Sequence, residues 1–422
     1  MLKINKHILL ISSWGPPMIG GPQNLYNLFS LFNKDEYSFL TSYNQTFSLI
    51  NDKNKGNVLP CKYYFIDFDN VLFKSKRQNN YISKRNTFKE SFINLTKTFP
   101  FLYKFIISYF IPVVTIVKFI KNAVKIQKET NSKLLIGISD SGSALISTLI
   151  THWITKQPYV IYFFDIYKEN YLTGINKYLA KILESTLVKN AKYILVTNER
   201  TEEFFKNKYG NYIKTAVIYN STFLDQYIVK SNRYNPQQPY KTIYTGNVSW
   251  PQEQSLLNLI NAIEYLNELQ IELHLYIPNI AEHLKNIFNT KQFIKLNSAQ
   301  PLEIPNILNG ADLLFLPLSW NTKNPDIIAT ATPGKFTDYL GAGKPMLIHA
   351  PEYAYISEYA KKYNLGIVVD KNDPKILADS IQKFFSNPSV GEIFIKNSLS
   401  VFHANHDAQK NAERLKNIIN SI

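Results

Sequence analysis

Residues 331–345 read Ala331-Thr332-Pro333-Gly334-Lys335-Phe336-Thr337-Asp338-Tyr339-Leu340-Gly341-Ala342-Gly343-Lys344-Pro345, after a short apolar run at 313–317 and a polar loop. Pro333-Gly334 opens a helix, and Gly341 and Gly343 close it, so that the next apolar run, 346–349, starts at once. Lys335 and Asp338, three residues apart in the first turns, fall on one helical face. A lysine beside a helix N-terminus reinforces its positive potential and suits a diphosphate. A carboxylate on the same face suits the two hydroxyls of a ribose. Strand, helix, strand in this order is the unit of a parallel sheet.

The alternation continues in both directions. Strands are predicted at 7–12, 37–41, 63–66, 134–138, 159–163, 193–197 and 215–218. A second series follows Asn235-Pro236-Gln237-Gln238-Pro239, at 241–244, 272–276, 293–296, 313–317, 346–349 and 366–369. The pattern predicts an α/β chain of two Rossmann-like, doubly wound domains, 1–225 and 226–405, facing one cleft. A helical segment within 406–422 is expected to pack back toward the first domain. A length of 422 residues suits two domains, and 45% hydrophobic with 19% charged residues excludes wholesale disorder. The single cysteine, Cys61, excludes an intrachain disulfide and a thiolate metal cluster. A reducing, cytoplasmic setting is expected.

Open α/β sheets take ligands at the carboxyl ends of their strands. In the first domain the exit of strand one, residues 12–21, ends in Gly20 and Gly21, which let backbone approach a ligand at a helix N-terminus. Its spacing matches neither GxGxxG nor a Walker A loop. Asp140 and Asp165 also stand at strand ends, where either suits an acceptor hydroxyl and either also suits an N-cap. Asp67-Phe68-Asp69 places two acids two apart but outside the second domain, and the seven histidines contain no HExxH. No resident metal or other cofactor is expected.

The formal charge of +15 is lopsided, with 29 basic and 15 acidic residues in 1–225 against 18 and 17 in 226–422. Stretch 70–128 alone holds 12 basic residues against Glu90. Within it the apolar run 105–117 has about 13 residues and contains Pro112, short of the roughly 20 that span a bilayer. Flanked by Lys104, Lys118, Lys121 and Lys125, residues 99–128 are expected to dock on an anionic membrane surface. The alternative is a buried hairpin broken at Pro112.

The chain resembles the group 1 (GT4-like) glycosyltransferases of the GT-B fold, whose donor domain carries P-x-K-x-x-E-Y-L-A-x-G-K-P. Here Pro333, Lys335, Asp338, Tyr339, Leu340, Gly343, Lys344 and Pro345 match or approximate it. Ile218-Tyr219-Asn220-Ser221 resembles the V-I-P-N-G hinge, Ala311-Asp312 through Pro317 the A-D-x-x-x-x-P strand, and Tyr244-Thr245-Gly246-Asn247 the first strand-turn of the donor domain. The resemblance implies metal-independent, retaining transfer of a sugar, expected from a UDP-sugar, to a lipid-linked saccharide in bacterial surface polysaccharide synthesis (lipopolysaccharide, capsule) at the inner membrane face. It implies donor binding by Gly20, Gly21, Gly246, Asn247, Pro333, Gly334, Lys335 and Asp338, catalysis by Lys335 and Asp165, and acceptor binding by Asp140 or Asp165. Three positions depart from the pattern: Thr330 replaces the first of two paired acids, Asn247 a basic residue, and Ser221 the hinge glycine. An epimerase of the same fold and a non-enzymatic nucleic-acid binder are the competing classes. Nucleic acid is not an expected partner, since paired doubly wound domains are not a usual module for it.

Overall fold

The computed structural model describes residues 3–16, 20–42, 57–66, 100–227 and 234–422. Asp67, Asp69 and the basic residues from Lys74 to Lys97 lie outside them.

Among the described residues the chain forms two parallel sheets. The first contains β1 (Ile8–Ile11), β2 (Tyr37–Ser42), β3 (Lys62–Ile66), β4 (Leu134–Ile138), β5 (Tyr159–Phe163), β6 (Tyr193–Val196) and β7 (Thr215–Val217), in the order β3-β2-β1-β4-β5-β6-β7. The second contains β8 (Tyr240–Thr245), β9 (Ile271–Tyr276), β10 (Ile294–Asn297), β11 (Leu313–Pro317), β12 (Met346–His349) and β13 (Gly366–Val369), ordered β10-β9-β8-β11-β12-β13. Strands such as Ile8–Ile11 and Leu134–Ile138 are apolar and buried throughout because helices cover both faces. Strand order reverses at β1/β4 in one sheet and at β8/β11 in the other. Those two switch points are where such sheets leave a crevice.

Four helices of the first domain matter below: α1 (Gly21–Phe29), α2 (100–130), α3 (Ser143–Thr155) and α4 (Gly174–Asn190). Helix α2 does not break at Pro112. It runs from Pro100–Phe105 through a π-helical stretch, Ile106–Phe110, into Ile111–Thr130. Proline has no N–H to return to the preceding turn, and the wider π register is the local adjustment that keeps the helix continuous. By length and composition 106–130 is apolar enough to cross a membrane. One face, however, seals Thr115, Ile116, Phe119, Ala123 and Ile126 into the domain. The helix therefore lies along the sheet with its other face open.

Helix α5 (Glu199–Tyr209) completes that domain. The second domain adds α6 (Trp250–Tyr265), α7 (Glu282–Thr290), α8 (Ile304–Asn309), α9 (Pro325–Thr330), α10 (Gly334–Ala342), α11 (Tyr355–Tyr363), α12 (Pro374–Ser386) and α13 (Val390–Val401). After a π turn, Phe402–His406, helix α14 (Ala408–Asn420) returns to the first domain. Ala412, Leu415 and Ile419 share a core with Leu25, Leu28 and Phe32, and Lys416 Nζ donates to Leu31 O at 2.7 Å. The two crossings between domains run side by side: Thr222 N donates to His406 O at 3.1 Å and Ala408 N to Thr222 O at 3.1 Å.

Candidate functional site

The first half of the site is a cavity of about 510 Å³ at the β1/β4 switch point. Ser12 lines it from the exit of β1, Asp140 from β4, and Asp165, Tyr167 and Tyr171 from the loop after β5. Gly20 and Gly21 form its rim at the start of α1. A Cβ on Gly21 would stand 2.9 Å from the Phe164 ring, so only glycine lets the helix start sit against this wall.

The two acids of this cavity differ sharply. Asp140 is held by Ser12 Oγ at 3.1 Å, Ser13 Oγ at 3.2 Å, Ser141 Oγ at 3.3 Å and the Ser13 backbone N–H. Burial raises its pKa, and those donors pull the other way. Its lone pairs are spent on tying the exit of β1 to the exit of β4. The Asp165 carboxyl has no hydrogen-bond partner among the described residues. It is open to solvent yet stands in the cleft with protein on most sides, and that crowding raises its pKa. An exposed acceptor oxygen beside a ligand-sized cavity is free to take a hydroxyl.

The second half is at the β8/β11 switch point. Lys335, in the first turn of α10, reaches back over the exit of β8. Its Nζ donates to Tyr244 Oη at 2.7 Å and lies 4.0 Å from the centre of that ring. Tyr244 in turn donates to Asn247 O. Gly246 has φ +106°, a conformation that side chains rarely adopt, so this turn favours glycine, and a Cβ there would also crowd Lys335 Cε at 3.3 Å. Among the described residues no carboxylate pairs with Lys335, and burial pulls its pKa down to about 7. Pro333 caps the helix and Gly334 is its exposed first residue.

Asp338 is turned to a different neighbour. Tyr227 Oη donates to its Oδ1 at 2.7 Å, and burial pushes the carboxyl up to about 6 against that bond. Lys335 and Asp338 thus start on one face of α10 but separate, the lysine toward β8 and the acid toward the interdomain crossing. Gly343 ends the helix in the left-handed conformation, whereas Gly341 lies inside it, pressed on the Tyr227 ring.

The halves are joined. Asn198 Nδ2 donates to Thr330 O at 2.8 Å and Thr332 Oγ1 at 2.7 Å, fixing the loop ahead of Lys335 to the first domain. Asn324 Nδ2 donates to Glu169 O at 2.7 Å. Tyr171, on the cavity wall, meets Trp250 edge to face at 4.9 Å. Tyr227, Tyr171 and Trp250 carried no motif in the sequence, and Tyr244 stood in the strand-turn pattern without a role of its own. Among the described residues no three His, Cys, Asp or Glu side chains gather as a metal site.

No protein-family model and no curated protein matches the chain. Solved structures do. Anabaena HepE in complex with UDP-glucose superposes with TM-score 0.67 at 14% identity, covering 99% of this chain and 100% of that one. The sucrose-phosphate synthase of Thermosynechococcus elongatus gives 0.65 at 14% identity, covering 99% of each chain. A putative UDP-N-acetylglucosamine 2-epimerase from Listeria monocytogenes gives 0.56 at 11%, covering 100% of this chain and 96% of that one. The chain has the two-domain GT-B fold.

Proposed function

We propose that the protein is a glycosyltransferase that moves a sugar from a nucleotide-sugar, a UDP-sugar by preference, to a hydroxyl of a lipid-linked saccharide. The observation that carries this is the pairing of Lys335 at the start of α10, which has no countercharge among the described residues, with Asp165 on the opposite domain, whose carboxylate has no partner among them. The fold shared with HepE, solved with UDP-glucose, supports the donor class. The diphosphate lies against Lys335, the turn at Gly246 and Asn247, and the first amides of α10. Cleavage of the anomeric C–O bond leaves charge on that diphosphate, where Lys335 and the helix dipole stabilise it. Asp165 takes the hydrogen bond of the incoming hydroxyl and fixes its direction; the hydroxyl oxygen bonds to the anomeric carbon as the bond to the diphosphate breaks, and its proton passes to the leaving diphosphate, while Asp140 holds the strand exits beside it. The proposed transfer retains anomeric configuration and uses no resident metal. A thermal-shift series tests the donor: UDP or UDP-glucose at about 100 times its Kd should add about 2.7 kcal/mol of stability. No shift with any nucleotide or nucleotide-sugar would reject the function. An epimerase of this fold needs no acceptor, so release of free UDP rather than an isomeric UDP-sugar separates the two readings.

The depressed pKa of Lys335 gives a pH signature. A bound diphosphate favours the charged ammonium, so UDP affinity should be complete below about pH 7 and fall by up to tenfold per unit above it. Binding at pH 8 should draw nearly one proton from the buffer, and at pH 6 almost none. Calorimetry in two buffers of different ionisation heat measures this. Zero uptake at pH 8 would show that Lys335 is already charged before UDP binds or does not meet the diphosphate.

We also propose the cytoplasmic face of the cell membrane as the place of action, in synthesis of a bacterial surface polysaccharide. Phe101 (84% exposed), Phe105, Tyr109, Val113 and Val117 (57%) form an open apolar stripe down α2. Lys104, Lys121, Lys125 and Lys128 are exposed beside it. Each lysine near an anionic surface contributes about 1 kcal/mol, screened by salt. Wild-type protein should sediment with phosphatidylglycerol vesicles at low salt and not with neutral ones. Phe101→Asp with Phe105→Asp should abolish sedimentation and leave UDP binding unchanged. Equal sedimentation of both proteins would reject this face.

A further inference from the structure

The open apolar face is not confined to α2, and it comes close to the cavity. In this sheet the helices run against the strands, so their N-terminal halves lie at the strand ends where the cavity opens. All the exposed apolar residues of α2 but Val117 fall in its first half. On α4 they are Tyr178 (59% exposed) and Ile182, one turn apart near that helix's start, with exposed Lys177 and Lys181 beside them.

The two helices are locked where they meet. Gly174, the first residue of α4, has φ +55°, and a Cβ on it would fall 1.9 Å from Ser108 O in the π-helical stretch of α2. Only glycine permits this contact. Ile107, Tyr109 and Phe110 around Ser108 are exposed. The chain just before Gly174 is the cavity wall: Asn170, Tyr171 and Leu172 line it, and the tight bonds Asn170 N to Tyr167 O (3.2 Å) and Leu172 N to Asn170 O (2.7 Å) hold the loop in place. Leu172 and Gly174 are two residues apart, no more than about 7 Å of chain.

We infer that the acceptor cavity opens at the membrane surface itself, across the loop 170–174, and takes a lipid with a short head group, its receiving hydroxyl close to the apolar anchor. The inference rests on the transfer and membrane readings above and adds the acceptor's shape. An acceptor sugar at the end of a long glycan would stand away from the bilayer, where this cavity does not reach. The aromatic lip, Trp14 and Tyr171 with Trp250 packed on the latter, and the lysines Lys177 and Lys181 suit a short head group that is polar, anionic and partly embedded.

Two arms test it. In the first, Cys61→Ala protein carries a single fluorophore on Leu172→Cys, on Tyr109→Cys or on Lys285→Cys in the other domain. Each is bound to phosphatidylglycerol vesicles bearing a headgroup nitroxide, and only sedimented protein is counted. Labels at 109 and 172 should both be quenched and the label at 285 should not. Quenching at 109 alone places the cavity away from the bilayer and overturns the inference, as does quenching at neither. In the second arm, radiolabelled UDP-sugars are offered with total membranes of bacterial cells, and the products are partitioned. Label entering the organic phase, where short-headed glycolipids go, supports the inference, and label confined to water-soluble long glycans overturns it. If no label is transferred to anything, the transfer reading fails, while the quenching arm still decides where the cavity sits.

Discussion

Lys335→Met should lower kcat for sugar transfer by roughly 10²–10³-fold, the loss seen when one preorganised electrostatic donor is removed from a developing negative charge. Methionine keeps a stem of similar length over the Tyr244 ring and deletes only the ammonium, so the β8 turn stays packed. Among the described residues no second cation stands beside Lys335, and Asn247 occupies the position where the family pattern often has a base. The full electrostatic burden therefore falls on this side chain and the start of α10. Lys335→Arg should rescue poorly, because a longer, planar guanidinium does not reproduce the position of the ammonium, 2.7 Å from Tyr244 Oη and over that ring. Wild-type kcat in the methionine variant at saturating donor would sink the assignment.

Asp165→Asn should cost about 10²–10⁴-fold in kcat if the carboxylate orients and polarises the attacking hydroxyl. Its thermal stability should be unchanged, because among the described residues no hydrogen bond depends on it. Asp140→Asn is the opposite case. An amide cannot accept from Ser12, Ser13 and Ser141 together, and an unsatisfied buried N–H costs about 1–3 kcal/mol. That variant should unfold at lower temperature and lose activity in step with folding. Reversed behaviour of the two variants, stability lost in the first and kcat alone in the second, would exchange their roles.

Much of the fold was legible because a fully buried parallel strand is a continuous apolar run, as in β1, β4, β5 and β11, whereas β9 and β10 are only half buried and interleave polar residues. Lys335 was legible for a related reason, since a proline-glycine pair marks where a helix begins and so where its dipole points. The partners of the site residues were not. Asp338 meets Tyr227 across 111 positions, Lys335 meets Tyr244 across 91, and Asp140 meets Ser12 across 128. Serine, tyrosine and aspartate at these spacings carry no periodicity. Only packing decides that Asp140 is saturated and Asp165 is not. Pro112 misleads in a similar way, because a proline inside an apolar run predicts a break unless a π turn takes up the lost bond, and that turn leaves no mark in composition.

The return of α14 to the first domain sets an order of assembly during synthesis. Residues 234–401 are contiguous, so the second domain can close as soon as they emerge. The first domain cannot: the cover over Leu25, Leu28 and Phe32 is Ala412, Leu415 and Ile419, translated about 180 residues after that domain's last strand and turn. At about 5–20 residues per second the wait is roughly 10–40 s, during which the earlier-made half stays unsealed beside a finished later half. Ribosome-arrested chains ending at residue 405 should therefore be cut by protease within 20–42 and spared within 240–400, and release of chains carrying 408–420 should protect both.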